Sequence, residues 1–404
     1  MLLGTPIRSP FWLGILVLLL WSPPTRAEGL SRYGNGPCAG SSGAVRVDQL
    51  PLVFSTQLFP IPEPGTVVAP GAAEQADFLL KSVEAALGEG GASRIVKWNF
   101  CVTSDEAASA VRSVLEQRYP GPEKGAVSFV VGQLSRAEAQ VALDFVAVDI
   151  GSGTARVDRR PHELLQKLSL NPGAPPLCRV LPGSLVFVAG QAEAGTSIAE
   201  ATRNTLRSLE TTLQHLGLSF ADVISVRSFV SPMDQAGAAV EEILKLHQGP
   251  QSVVEWLAPG TIEIELMAAT PSPPMEPAER VEFITPPGMQ ASPVFSRVAR
   301  THGPSLIFVS GLYGTSERSG GEEVPQIFAT LEQLLKPAGG NLRNLAKATY
   351  FVSTEDASAR LNELRPKYYD PQRPPSASKA VVRGTGVSGK TVTLDMIAVP
   401  APRE

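Results

Sequence analysis

Leu306-Ile307-Phe308-Val309-Ser310-Gly311-Leu312 is a short apolar strand stopped by small residues, and the chain holds three versions of it. A second begins at Leu185-Val186-Phe187-Val188-Ala189-Gly190-Gln191, and a fainter one at Leu52-Val53-Phe54-Ser55-Thr56-Gln57. Behind each strand the same succession of elements recurs. A helix-period segment comes next: Phe78 to Leu87, Ile198 to Leu216, and Val324 to Leu335. In the second copy Ile198, Thr202, Thr205, Leu206, Leu209, Leu213 and Leu216 recur at three- and four-residue steps, the signature of one buried helix face. Gly88, Gly217 and Gly339 stop these helices.

A β-rich run comes after the helix in each copy: Ile95 to Val102, Val223 to Val230, and Leu345 to Val352. A second helix starts behind Ser104, Ser231 or Ser353-Thr354, whose side chains suit the free N–H groups of a first turn. Two strands close the unit. The last is Val141 to Val148, Ile262 to Ala269, or Val392 to Val399, with Asp144, Glu265 and Asp395 in equivalent places. Each unit therefore reads β-α-β-α-β-β, an α+β layout with helices on one sheet face. The expected division is units at 44–150, 177–270 and 292–400. A linker at 151–176 and a proline-rich one at 271–291 join them as extended, stiff segments.

The chain has 404 residues, 43% hydrophobic and 18% charged, which excludes a wholly disordered protein. Gly 36 and Pro 36 are too many breakers for a helical bundle. Arg8, the apolar run Phe11 to Trp21 and Thr25-Arg26-Ala27 read as a signal peptide over residues 1–27. Export to a periplasm or the cell exterior is expected, with no integral span left after cleavage. Removal takes away Arg8 and Arg26 and no acid, so the charge moves from −4 to −6. That balance, with no basic cluster, disfavours nucleic acid as a partner.

The remaining chemistry is sparse. Cys38, Cys101 and Cys178 can form at most one internal disulfide, and Cys101 reads as a small core residue. His162, His215, His247 and His302 show no metal-ligand spacing, and neither metal nor cofactor is expected. Gly384 to Thr391 satisfies GxxxxGK[ST], but an alternating strand-like run stands where a phosphate-binding helix should start. A hairpin loop is the better reading. Ser376-Ala377-Ser378-Lys379 fits SxxK, yet it enters a strand rather than a helix. The acids of the final strands read as solvated strand faces.

The order of elements resembles the YjgF/RidA family. The resemblance rests on Phe308-Val309-Ser310-Gly311, Thr330-Leu331 with Leu334, and Asn362 in the third unit. In the second it rests on Ala189-Gly190-Gln191, Thr205-Leu206 with Leu209, and Glu263-Ile264-Glu265. It implies a chorismate-mutase-like fold, and since that family forms trimers, a monomeric intramolecular pseudo-trimer with pockets between units. It implies a small carboxylate-containing ligand near Gly190, Gln191, Ser310, Gly311, Asn362 and Lys379. Active members hydrolyse 2-imino acids, using an arginine before the penultimate strand and a glutamate in the last. Counting back from the last strand puts the arginine position near Ala126, Gly249 and Ser378, none of them arginine. The glutamate position holds Glu263 in the second unit, the candidate catalytic residue, but Ala142 and Thr393 elsewhere. The expected function is non-catalytic ligand binding or scaffolding, with an imine-deaminase-type hydrolase as the alternative.

Overall fold

A computed structural model describes residues 1, 29–61, 70–121, 124–258, 261–271, 279–315 and 320–402. The signal-peptide reading of residues 1–27 lies, Met1 apart, outside the described residues. A hairpin opens the described chain: β1 (Leu30–Asn35) and β2 (Ser42–Asp48). The first set comes next as β3 (Leu52–Ser55), α1 (Ala72–Leu87), β4 (Ile95–Val102), α2 (Asp105–Arg118), β5 (Ala126–Val131) and β6 (Val141–Val148). Then come β7 (Val157–Arg160), α3 (Glu163–Leu168) and β8 (Leu177–Val180). The second set is β9 (Leu185–Gln191), α4 (Ile198–His215), β10 (Val223–Val230), α5 (Ala236–Leu244), β11 (Gln251–Glu255) and β12 (Ile262–Ala269). A hairpin of β13 (Val281–Ile284) and β14 (Val298–Thr301) precedes the third set. That set is β15 (Ser305–Val309), α6 (Glu323–Leu335), β16 (Leu345–Val352), α7 (Glu355–Tyr368), β17 (Ser376–Val381) and β18 (Val392–Ala398).

The local chemistry explains these elements. Ser104, Ser197 and Thr354 each accept a first-turn N–H of α2, α4 and α7 through their side chains. Helix α4 buries Ile198, Thr202, Thr205, Leu206, Leu209 and Leu213 along one face. Gly88 and Gly217 end α1 and α4 at φ near +75°, a conformation that strains any residue with a Cβ, while α6 ends at Leu335, ahead of Gly339. The GxxxxGK[ST] stretch is the loop into β18, so no helix start is there to hold a phosphate. Ser376 to Lys379 lies on β17, a strand.

Sheet order repeats as well. The runs β5-β4-β6-β3, β11-β10-β12-β9 and β17-β16-β18-β15 have the same sequence of neighbours. Each is extended by a hairpin from elsewhere in the chain. Strands β8 and β7 extend the first set, β14 and β13 the second, and β2 and β1 the third. The hairpin ahead of each set thus pairs with the set before it, and the first hairpin reaches round to the third. A single bridge, Ser42 to Ala126, joins the first and third sets into one 12-stranded sheet.

The segments read as linkers are therefore partly structured. Strand β7 and helix α3 fall within 151–176, and β13 falls within 271–291. Strand β8, assigned by the sequence to the second unit, pairs with β3 of the first. Their Pro and Gly content signalled breaks, but four-residue strands are too short to show a period.

Each set packs its helices on one sheet face, over cores such as Trp98, Phe100 and Phe145 in the first and Phe328 and Tyr350 in the third. The opposite sheet faces meet at the centre of the molecule. There Phe54, Phe187 and Phe308 form one apolar layer, and Cys101, Phe229 and Phe351 form another. All three cysteines are free thiols, and burial pushes the Cys101 and Cys178 thiols up to about 12. Among the described residues no helix is long and apolar enough to cross a membrane, and no cluster of three metal-ligating side chains occurs.

Candidate functional site

The three sets meet at three boundaries of one design. The end of β3 lies beside β11, the end of β9 beside β17, and the end of β15 beside β5. Strand pairing puts Phe54 opposite Val146, Phe187 opposite Met267 and Phe308 opposite Ile397. Three residues further along, Gln57, Gly190 and Gly311 hold one equivalent position. Across the sheet, Ala142, Glu263 and Thr393 hold another. From the neighbouring set, Ser252, Ser378 and Ser128 complete each boundary; they pair with Arg227, Thr349 and Asn99 in matching register. This register corrects the count from the last strand. The positions equivalent to Ser378 are Ser128 and Ser252, not Ala126 and Gly249, because the loops before β6, β12 and β18 differ in length.

Only the boundary between β9 and β17 gathers the candidate residues. The Gly190 N–H donates to Ser378 Oγ at 3.0 Å. Glu263 lies so close over Gly190 that a Cβ there would sit 1.9 Å from Oε1. The Ser378 hydroxyl is shared with Glu263 and Glu265. Burial, helped by the nearby Glu265 charge, raises the Glu263 carboxyl to about 7 against the pull of Ser378 and Lys379. A carboxyl near neutrality can hold or release a proton under ordinary conditions. Lys379 leaves β17 on the other side from Ser378, within electrostatic reach of Glu263. Strand alternation sends its Nζ to Ser358 Oγ on α7, at 2.7 Å. Burial and the Arg365 charge lower its pKa, while Glu263 acts the other way.

The other candidates are placed apart. Gln191 turns its amide into α4, donating to Thr212 Oγ1 at 3.0 Å. Asn362 accepts a hydrogen bond from Arg365, whose guanidinium covers the Tyr350 ring. Ser310 Oγ accepts from the Val127 N–H at 2.7 Å and donates to the Ser42 carbonyl at 2.6 Å. Gly311 N–H donates to the Val127 carbonyl at 2.8 Å. Ser310, through its hydroxyl, and Gly311, through its N–H, therefore close their boundary against backbone groups.

A second constellation occupies the centre, between the two apolar layers. Lys97 Nζ lies 3.2 Å from Asp395 Oδ1 and donates to Ser128 Oγ at 2.7 Å. Arg227 Nη1 lies 2.8 Å from Asp395 Oδ2 and 3.5 Å from Glu265 Oε1. Lys347 Nζ lies 3.0 Å from Glu265 Oε1, which also accepts from Thr349 at 3.1 Å. Glu265 is 4% exposed and Asp395 8%, so they are not the solvated strand faces the sequence suggested. Burial alone would raise both carboxyls; Lys97, Lys347 and Arg227 instead hold Asp395 far below the usual range, and Lys347 and Arg227 lower Glu265. Sequence reasoning picked out the three acids and missed the cations. The available signal was a charge inside each apolar strand run, at Lys97, Arg227 and Lys347, since such a charge must be paired when buried.

Comparison with known proteins gives partial matches. No family profile matches the sequence, and no curated protein matches it. Among solved structures, the chain is similar to a Mycobacterium tuberculosis member of the YjgF/YER057c/UK114 family, at 32% identity and TM-score 0.21. That match covers 23% of this chain and 83% of the other. A Neisseria meningitidis member of the YjgF family shows 17% identity and TM-score 0.24, covering 30% of this chain and 97% of the other. RidA from an Antarctic Psychrobacter shows 21% identity and TM-score 0.22, covering 23% and 80%.

Proposed function

We propose that the chain is an exported protein of three RidA-like units, closed into a monomeric pseudo-trimer, that binds a small carboxylate-containing ligand at the boundary of its second and third units. The threefold recurrence of element order and sheet order supports the unit reading. The observation that carries the binding site is Glu263 seated on Gly190 and Ser378, the one boundary where a titratable side chain occupies the equivalent position. The field of Lys379 reaches Glu263 and favours an anion nearby, and a protonated Glu263 can donate to it. Lysine supplies a point charge here rather than a bidentate fork, which suits loose binding better than precise orientation.

The near-neutral carboxyl of Glu263 favours one second reading, hydrolysis of a 2-imino acid with Glu263 handling the proton of the attacking water. Titration calorimetry with pyruvate and an assay on freshly generated 2-iminopropionate separate the two. The binding reading expects pyruvate heat that Glu263→Gln weakens, with hydrolysis at background. Hydrolysis above background that Glu263→Gln removes would establish the enzyme. Neither heat nor hydrolysis would sink both. Sedimentation should give a single chain; a stable trimer of chains would overturn the pseudo-trimer.

A further inference from the structure

The centre of the molecule breaks its own pattern at one place. Lys97 and Lys347 hold the same register position, opposite Val146 and Ile397, and the second set carries Ser225 there, opposite Met267. Each lysine pairs with the acid of the preceding set: Lys97 with Asp395, and Lys347 with Glu265. By the same rule Ser225 should be a lysine paired with Asp144. Asp144 instead accepts from Asn99 Nδ2 at 2.7 Å, and among the described residues no cation lies within ion-pair distance of it.

A cavity of about 60 Å³ occupies this place, lined by Ser225, Asp144, Asn99, Gln251, Ser252 and Arg227 among others. That is room for roughly four or five water-sized groups. Two acceptors on its wall have no hydrogen-bond partner: Asn99 Oδ1, and Oε1 of Gln251, a residue only 3% exposed. An orphaned buried acceptor costs free energy and calls for a donor. With Asp144 they put three acceptors on the cavity wall. The charge count then decides the rest. Lys97, Arg227 and Lys347 already match Asp144, Glu265 and Asp395 one for one, so a bare cation would leave a buried excess charge. A ligand with both an ammonium and a carboxylate adds none, and Arg227 on the same wall can receive the carboxylate.

We propose that this cavity binds a short zwitterionic amino acid, whose ammonium takes the place of the absent third lysine. The cavity is distinct from the Glu263 boundary, with Glu265 lining the one and acting on the other.

Calorimetry on the full chain with β-alanine should show saturable one-site binding. Propylamine and propionate, each carrying half of the ligand, should bind at least about tenfold more weakly, since each forfeits one charge-assisted contact. Asp144→Asn should lose β-alanine binding. Ser225→Lys should lose it too, because the new side chain fills the cavity, while keeping any pyruvate response at the boundary. Ser225→Lys also covers the case in which Asp144→Asn fails to fold. No saturation with millimolar β-alanine, equal affinity for propionate or propylamine, or unchanged β-alanine binding in Ser225→Lys would each overturn the proposal.

Discussion

Gln57 and Gly190 occupy the same place at two boundaries, and they leave opposite surroundings. Gln57 is 1% exposed and answers the neighbouring strand completely: its Nε2 donates to the Val253 carbonyl at 3.0 Å, and its Oε1 accepts the Val253 N–H at 3.2 Å. Its partner position is Ala142, which brings no chemistry. Gly190 brings no side chain, so the space above it is taken by Glu263, and the neighbouring strand is met by one N–H alone. The third boundary lies between these, with Gly311 retained but Thr393 in place of the acid. A side chain that imitates backbone seals a boundary, whereas a glycine leaves it able to hold a titratable group. Sites can thus be closed in a repeated fold without changing the fold.

The strongest way to break this contrast is to loosen what all three boundaries share. Asp395→Asn leaves Lys97 and Arg227 without their common partner, and the expected loss is about 3–5 kcal/mol in urea denaturation. Asp395 is held below the ordinary carboxylate pKa, so its stabilisation is present above the unfolded value and disappears as pH falls through about 4 and lower. The variant should lose that acid dependence. Gln57→Ala comes next. It strips both Val253 backbone groups of their partner, for about 2–4 kcal/mol by the same measurement.

Smaller effects sharpen the comparison. Gly190→Ala must displace Glu263 and should cost about 1–3 kcal/mol, with loss of the pyruvate response. Gly311→Ala crowds Thr393 Oγ1 at 3.0 Å, with Ser128 at an ordinary contact distance of 3.5 Å, and should cost under about 1 kcal/mol. Equal costs would erase the proposed difference between the boundaries. The last prediction concerns pH. Glu263 keeps its proton to about 7, against an ordinary 4.5, so the folded state binds protons more tightly and stability should fall as pH rises between those values. Glu263→Gln should remove that slope and gain on the order of 2 kcal/mol near pH 8. Denaturation series at low and high pH check it.

Much of the local structure was legible because it obeys short-range rules. The β-rich runs Ile95–Val102, Val223–Val230 and Leu345–Val352 coincide with β4, β10 and β16, and Gly88 and Gly217 stand at the ends of α1 and α4, whereas α6 ends before Gly339. Glu263 and Gly190 were legible as a pair of motif positions, and they meet. The purpose of the three acids was not legible. Asp144, Glu265 and Asp395 show up as an equivalent set, but a strand's alternation does not say whether its polar face meets water or another set's lysines. The sequence groups Lys379 with the ligand residues and gives no sign of its partner Ser358. The pairing of the hairpins could not be read at all. Thr301 and Ser305 are separated by a turn-like His302-Gly303-Pro304, yet β14 and β15 pair with different strands.

That exchange of hairpins has a consequence for how the molecule is made. The partner of β2 is β15, and the Ser310 to Ser42 hydrogen bond spans 268 positions. During synthesis the first hairpin must wait, one edge unpaired, until nearly the whole chain has left the ribosome. At roughly 5–20 residues per second the wait is on the order of tens of seconds. An open edge invites pairing with another chain, so a nascent copy could pass its hairpin to a neighbour before its own third set exists. Crowded expression should therefore yield some interlinked dimers built from the same contacts as the single chain, and dilute expression, with fewer nascent copies side by side, should suppress them.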